Sequence, residues 1–170
     1  MDITVDYKLT GSGWSECALD VYGQTCTVTA SYLSDALREL LSGVNHILSG
    51  GNEAKFHFDE EPGEYRWILG RVDAGAVSVR ILEFPELWGD RPDSEGKVVF
   101  DVTCPIRGLA QALLSSLNGL LTEYGLDGYK EKWVEAEFPL EEYKTLCSHL
   151  GVSPSNPPLN RTRADNARAG

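Results

Sequence analysis

Two stretches of this chain repeat their apolar residues at helical spacing, while the segments around them alternate as strands do. That change of period limits the fold more than any other feature. Leu33, Leu37, Leu40, Leu41, Val44, Ile47 and Leu48 share one helical stripe, which Ser31 or Ser34 can cap and Gly50-Gly51 ends. Ile106, Leu109, Ala110, Leu113, Leu117, Leu120, Leu121 and Tyr124 form a second stripe, with Thr103 as N-cap, Pro105 as first helical residue and Gly125 as stop. A shorter third helix opens at Phe138-Pro139, turns Leu140, Tyr143, Leu146, Cys147 and Leu150 inward, and stops at Gly151.

Elsewhere the period is two. Ile3, Val5, Tyr7 and Leu9 alternate with polar residues, as in a strand with one buried face. Between Trp14 and Thr29, a Gly23-Gln24 turn would set Val21 opposite Cys26, Leu19 opposite Val28 and Cys17 opposite Ala30. Cys17, Leu19, Val21, Cys26 and Val28 then share one face of a hairpin. Strands over 55–60, 65–72 and 76–84 are joined by the turn signals Pro62-Gly63 and Asp73-Ala74-Gly75, and a long loop, 85–96, leads to a strand over 97–102. The pattern predicts an α+β fold: an antiparallel sheet of about six or seven strands, with the two long helices on one face and a shorter C-terminal helix. Residues 1–151 form one domain in this reading. The segment 152–170, rich in Ser, Pro, Asn and Arg, has little to bury and is expected to be a flexible tail.

A chain of 170 residues can bury a core without help from disulfides or metals. Its first residues lack a signal peptide's basic and apolar regions, and no apolar run reaches membrane-spanning length, so a cytoplasmic, non-membrane protein is expected. The net charge of −11 repels phosphate backbones and argues against nucleic-acid binding. It suits either plain solubility or steering toward a basic partner.

Chemistry-bearing constellations are missing at the level of sequence. His46, His57 and His149 fall on three different elements, without the short spacing of a metal site on one element. Cys17, Cys26, Cys104 and Cys147 form no Cys-x-x-Cys pair and read as buried thiols; Cys104, at a helix start, lacks an assignable base. No nucleophile elbow or phosphate loop is present, and Asp90, Asp93 and Glu95 lack the order of a calcium loop. No catalytic residue, metal site or cofactor is therefore assigned.

Surface features carry more. Asp59, Glu60, Glu61 and Glu64 surround the Pro62-Gly63 turn, and Glu83, Glu86, Asp90, Asp93 and Glu95 run through the long loop. Trp88 sits among these carboxylates, and Trp133 lies in a second polar stretch. Each indole either plugs the core edge, the commoner outcome, or anchors a partner. As an interface, the expected partner-binding set is Trp88, Asp90, Asp93 and Glu95 with Glu61 and Glu64. The polar side of the second helix, with Gln111, Ser115, Ser116, Asn118, Gly119 and Thr122, is poor in charge and suits close approach of another element or a homodimer contact.

From Glu61-Pro62-Gly63-Glu64-Tyr65-Arg66-Trp67 through the acidic loop to Glu123-Tyr124-Gly125 and Phe138-Pro139-Leu140, the chain resembles small uncharacterised bacterial proteins, some of them similar to toxin-immunity proteins. The resemblance carries over no functional residue. The acidic body, Trp88 among carboxylates and the missing chemistry lead to a non-enzymatic protein-binding domain, of which an immunity-type inhibitor of a basic partner or toxin is one form. Two alternatives stand beside it: a small enzyme or ligand-binding domain with a pocket between sheet and helices, and a structural homodimer. A convergent polar cluster containing His57, Arg66 or Glu83 would favour the enzyme or ligand-binding class; a filled core would favour the interaction protein.

Overall fold

The computed structural model describes residues 2–155. Strands β1 (Ile3–Gly11), β2 (Trp14–Val21) and β3 (Gln24–Ser31) precede helix α1 (Ala36–Leu48). A meander of β4 (Glu53–Asp59), β5 (Glu64–Arg71), β6 (Ala76–Phe84) and β7 (Lys97–Pro105) leads to α2 (Ile106–Trp133) and α3 (Leu140–Leu150). The fold is α+β, and every strand pairing is antiparallel. The seven strands of the described residues divide, however, into a three-stranded sheet, β1-β2-β3, and a four-stranded sheet, β4-β5-β6-β7, rather than forming one. Alternation fixes which side of a strand is buried, but not which strands share hydrogen bonds.

The first hairpins show how local chemistry sets register. The β2–β3 loop is Tyr22-Gly23, and both residues have positive φ, 54° and 85°. That is the twist a two-residue hairpin loop requires, and glycine is favoured in its second position. The expected Gly23-Gln24 turn is thus displaced by one residue. Leu19 faces Cys26, Cys17 faces Val28 and Ser15 faces Ala30. Because the register moves by two, the same side chains remain on the inner face.

The two sheets and three helices share one apolar core. Helix α1 packs on β4 and β5, whereas α2 runs along β1. There the margin of the charge-poor side of α2 meets β1, while Gln111, Ser115, Gly119 and Thr122 stay exposed. Ala112 is buried, a side chain at Gly108 would crowd Ile3, and Ser116 Oγ accepts the outward N–H of Tyr7 at 2.8 Å. That bond caps an edge strand that would otherwise present an unpaired donor.

Helix starts depart from expectation at two places, the first being α1, which begins at Ala36 with Asp35 as N-cap, so that Ser31, Leu33 and Ser34 precede it. Strand β7 continues to Pro105, so Thr103 belongs to the strand and Pro105 is the N-cap of α2. At Gly125 (φ 65°, ψ −176°) the first helical stretch of α2 stops, as its sequence predicts, and a second stretch follows across the kink to Trp133. Trp133 is fully buried: of the two polar-segment tryptophans, it is the core plug. Of the expected tail, residues 152–155 are described, and Ser155 is fastened by its N–H to the Tyr143 hydroxyl at 2.8 Å. The rest lies outside the described residues. None of the helices among the described residues is long and apolar enough to cross a membrane.

Candidate functional site

Alternation along β4 sends Phe56 and Phe58 into the core, and Lys55, His57 and Asp59 to the opposite face. Pairing with β5 sets His57 beside Arg66 and Asp59 beside Glu64, and pairing with β6 extends the same face through Leu82 and Phe84. Such a face would normally meet water. Here the loop 85–96 folds back over it, and Leu82 and Phe84 are buried. The approach is close at Gly96, where an added Cβ would lie 2.7 Å from Phe84 Cζ and 2.8 Å from Leu82 Cβ.

Arg66 fastens this loop. One guanidinium nitrogen donates to the Arg91 carbonyl at 2.7 Å and to Asp93 Oδ1 at 2.9 Å; the other donates to Glu64 Oε1 at 3.1 Å. The guanidinium carbon also lies 4.2 Å from the centre of the Phe84 ring, a cation–π contact. Lys55 adds a second tie, its Nζ 2.7 Å from Asp93 Oδ2. The hydrogen bonds from Lys55 and Arg66 hold the Asp93 carboxyl below the usual carboxylate range.

Beneath the loop, three side chains converge. His57 Nδ1 lies 2.7 Å from Asp59 Oδ1 and 3.7 Å from Glu64 Oε2, and one ligand atom from each residue falls within 4.8 Å of the others. Asp59 and Glu64 are buried, while His57 is half-exposed. The backbone of Asp59 is pinned from both sides, its N–H donating to Ser34 Oγ at 2.9 Å and its carbonyl accepting from Ser31 Oγ at 3.0 Å. A neutral His57 that donates from Nδ1 to Asp59 retains Nε2 as its acceptor.

The rim is aromatic and acidic. Trp88 is 70% exposed and stands at φ 52°, and Asp90, two residues on, stands at φ 46°. Left-handed backbone at a residue other than glycine costs about 1 kcal/mol or more, and it persists where surrounding contacts impose it. Here Leu87 N–H bonds to the Pro62 carbonyl at 2.9 Å, and Arg91 pairs with Glu86 at 3.3 Å. Between rim and floor lies an open hollow of about 300 Å³, lined by His57, Glu64, Arg66, Trp88 and Asp90.

The expected partner-binding residues therefore separate. Trp88, Asp90, Glu95 and Glu61 are exposed. Asp93 is engaged with Arg66 and Lys55, and Glu64 is buried in the floor; neither offers a free charge. Lys55, His57, Asp59 and Arg66 belong to the same site: His57 and Arg66 meet in the convergent polar cluster that favours the ligand-binding or enzyme alternative, and Lys55 and Asp59 join them there. Their signal was the alternation of β4 and β5, which puts them on one face once the strands pair. Glu83 is exposed and outside this cluster.

Sequence spacing assigned no metal site, yet among the described residues His57 and Asp59 of β4 and Glu64 of β5 bring one possible ligand atom each within 4.8 Å of the others. Cys104 lies in β7, not at the start of α2, and burial pushes its thiol up to about 11, away from reactivity. No protein-family model, curated protein or solved structure matches this chain.

Proposed function

We propose that this chain is a non-enzymatic protein-binding domain that meets a basic partner through the loop 85–96, in the manner of an immunity-type inhibitor. The observation that carries the reading is Trp88: an indole 70% exposed on a loop tied to the sheet by Arg66, Lys55 and Gly96 packing. Tryptophan is prominent among residues that dominate binding energy. A loop already fixed in place loses little freedom on docking. Around it, Glu61, Glu86, Asp90 and Glu95 supply exposed negative charge, and the net charge of −11 extends the attraction beyond contact range. Helix α1 packs against the core side of β4 and β5, and the loop 85–96 covers part of their outer face, so recognition falls to the loop itself. On this reading the protein works in the cytoplasm and avoids nucleic acid.

The test is crosslinked capture from the native cell, comparing the wild-type protein with Trp88→Ala. A basic protein retained by the wild type, lost with Trp88→Ala and released by salt is the expected result. The reading fails if both proteins retain the same set, or if the wild type retains no more than an unrelated acidic protein.

A further inference from the structure

We propose that His57, Asp59 and Glu64 form a binding site for one divalent transition-metal ion, with zinc the best-suited occupant. The donor set is one imidazole nitrogen and two carboxylates, which suits zinc and its first-row neighbours; calcium requires six to eight oxygens, roughly twice what is offered. The three candidate ligand atoms already lie within 4.8 Å of one another. A tetrahedral ion with bonds of about 2.1 Å spaces its donors about 3.4 Å apart. His57 Nδ1 is already 3.7 Å from Glu64 Oε2, and its 2.7 Å contact with Asp59 would open by roughly 0.7 Å on that spacing. The ring proton then resides on Nε2, so a neutral His57 binds the ion without changing charge.

Charge supplies an independent argument. Asp59 and Glu64 are directly opposed across β4 and β5, and their side chains are only 3% and 7% exposed. Like charges so paired repel, and buried carboxylates require compensation. Arg66 reaches Glu64, but it is shared with Asp93, and Lys55 is itself spent on Asp93. Even a protonated His57 would offset only one of the two negative charges. A dication between the two carboxylates supplies what is lacking. The adjoining hollow, bordered by Trp88 and Asp90, leaves the fourth coordination position to water or to Asp90. This site is independent of whether Trp88 meets a partner.

The experiment uses the full-length protein, stripped with chelator and titrated calorimetrically with zinc. Cobalt serves as a spectroscopic substitute. One ion per chain, a raised melting temperature and visible cobalt bands are expected. His57→Ala should weaken binding by more than about tenfold, the scale on which even groups that merely orient a ligand count. Glu64→Gln should act in the same direction, while His46→Ala and His149→Ala should leave affinity unchanged. Because His57 is half-exposed, its alanine variant should fold, as circular dichroism will show, and its zinc affinity is the deciding measurement. No saturable binding by the wild type overturns the proposal, and so does binding unchanged in His57→Ala, which would mean an adventitious ion only.

Discussion

Replacing Arg66 by methionine tests whether charge holds the Trp88 loop to the sheet. Methionine keeps an apolar stem over Phe84 but removes the guanidinium's bonds to Glu64, Arg91 and Asp93. A hydrogen bond to a charged group contributes about 1.5–3 kcal/mol, and the cation–π contact about 0.5–1 kcal/mol. The sum must be reduced, because the Asp93 side chain is 34% exposed and keeps Lys55 as a partner. We expect Arg66→Met to cost about 2–4 kcal/mol, mostly as easier opening of the loop. Amide exchange should then accelerate on the order of 30- to 700-fold at Leu87 and Gly96, whose N–H groups bond to Pro62 and Asp93 carbonyls. Hydrogen exchange resolved by residue or short peptide measures this directly. Unchanged exchange at both amides in a folded variant would refute the reasoning and leave apolar packing at Leu82, Phe84 and Gly96 as the sole fastening.

Acid should loosen the same loop: the Asp93 pKa is depressed in the folded state by Lys55 and Arg66, so its contribution is complete above the unfolded value of about 3.9 and disappears as pH falls through the lower folded value. Exchange of the Gly96 amide, corrected for intrinsic rate, should be level down to about pH 5 and rise only below the ordinary carboxylate range. Gly96→Ala forces a Cβ against Phe84 and Leu82 and should lower stability by about 1–3 kcal/mol in urea titration, whereas Gly89→Ala, with only Arg91 atoms beyond 3.5 Å, should not. The two tryptophans should divide by role. Trp133→Ala should cost about 3–5 kcal/mol, while Trp88→Ala should stay within about 0.5 kcal/mol of wild-type stability and weaken partner binding by more than about 1 kcal/mol. A lowered melting temperature with intact affinity in Trp88→Ala would make the indole a structural residue.

The helical stripes of α1 and α2 and the alternation of the strands were legible because each depends on near neighbours in sequence. Leu37, Leu41, Val44, Leu109, Leu113 and Leu117 are all buried, as their spacing predicts. What escaped depends on distant contacts. Nothing local says that β3 ends one sheet and β4 begins another, or that a second helical stretch follows the stop at Gly125. The site follows the same rule. Trp88 and its carboxylates were visible as a compositional oddity, but His57, Asp59, Glu64 and Arg66 become a cluster only when β4 pairs with β5. The loop's fold-back then distinguishes Asp93, which is tied down, from Asp90, which is not. A difference of three positions in sequence gave no sign of that division.

The way the loop is fastened separates two kinds of inheritance. Arg66, Lys55, Asp93 and Gly96 hold the loop to the sheet, while Trp88, Asp90 and Glu95 are exposed beyond the core. Substitutions at the exposed positions disturb little of what keeps the chain folded. If those positions meet a partner, a lineage can retune recognition there, one residue at a time, without first acquiring compensating mutations in the core. Descendants that differ at residue 88 or 90 but retain the arginine, the lysine, the aspartate and the close-packed glycine would be the trace of such a history.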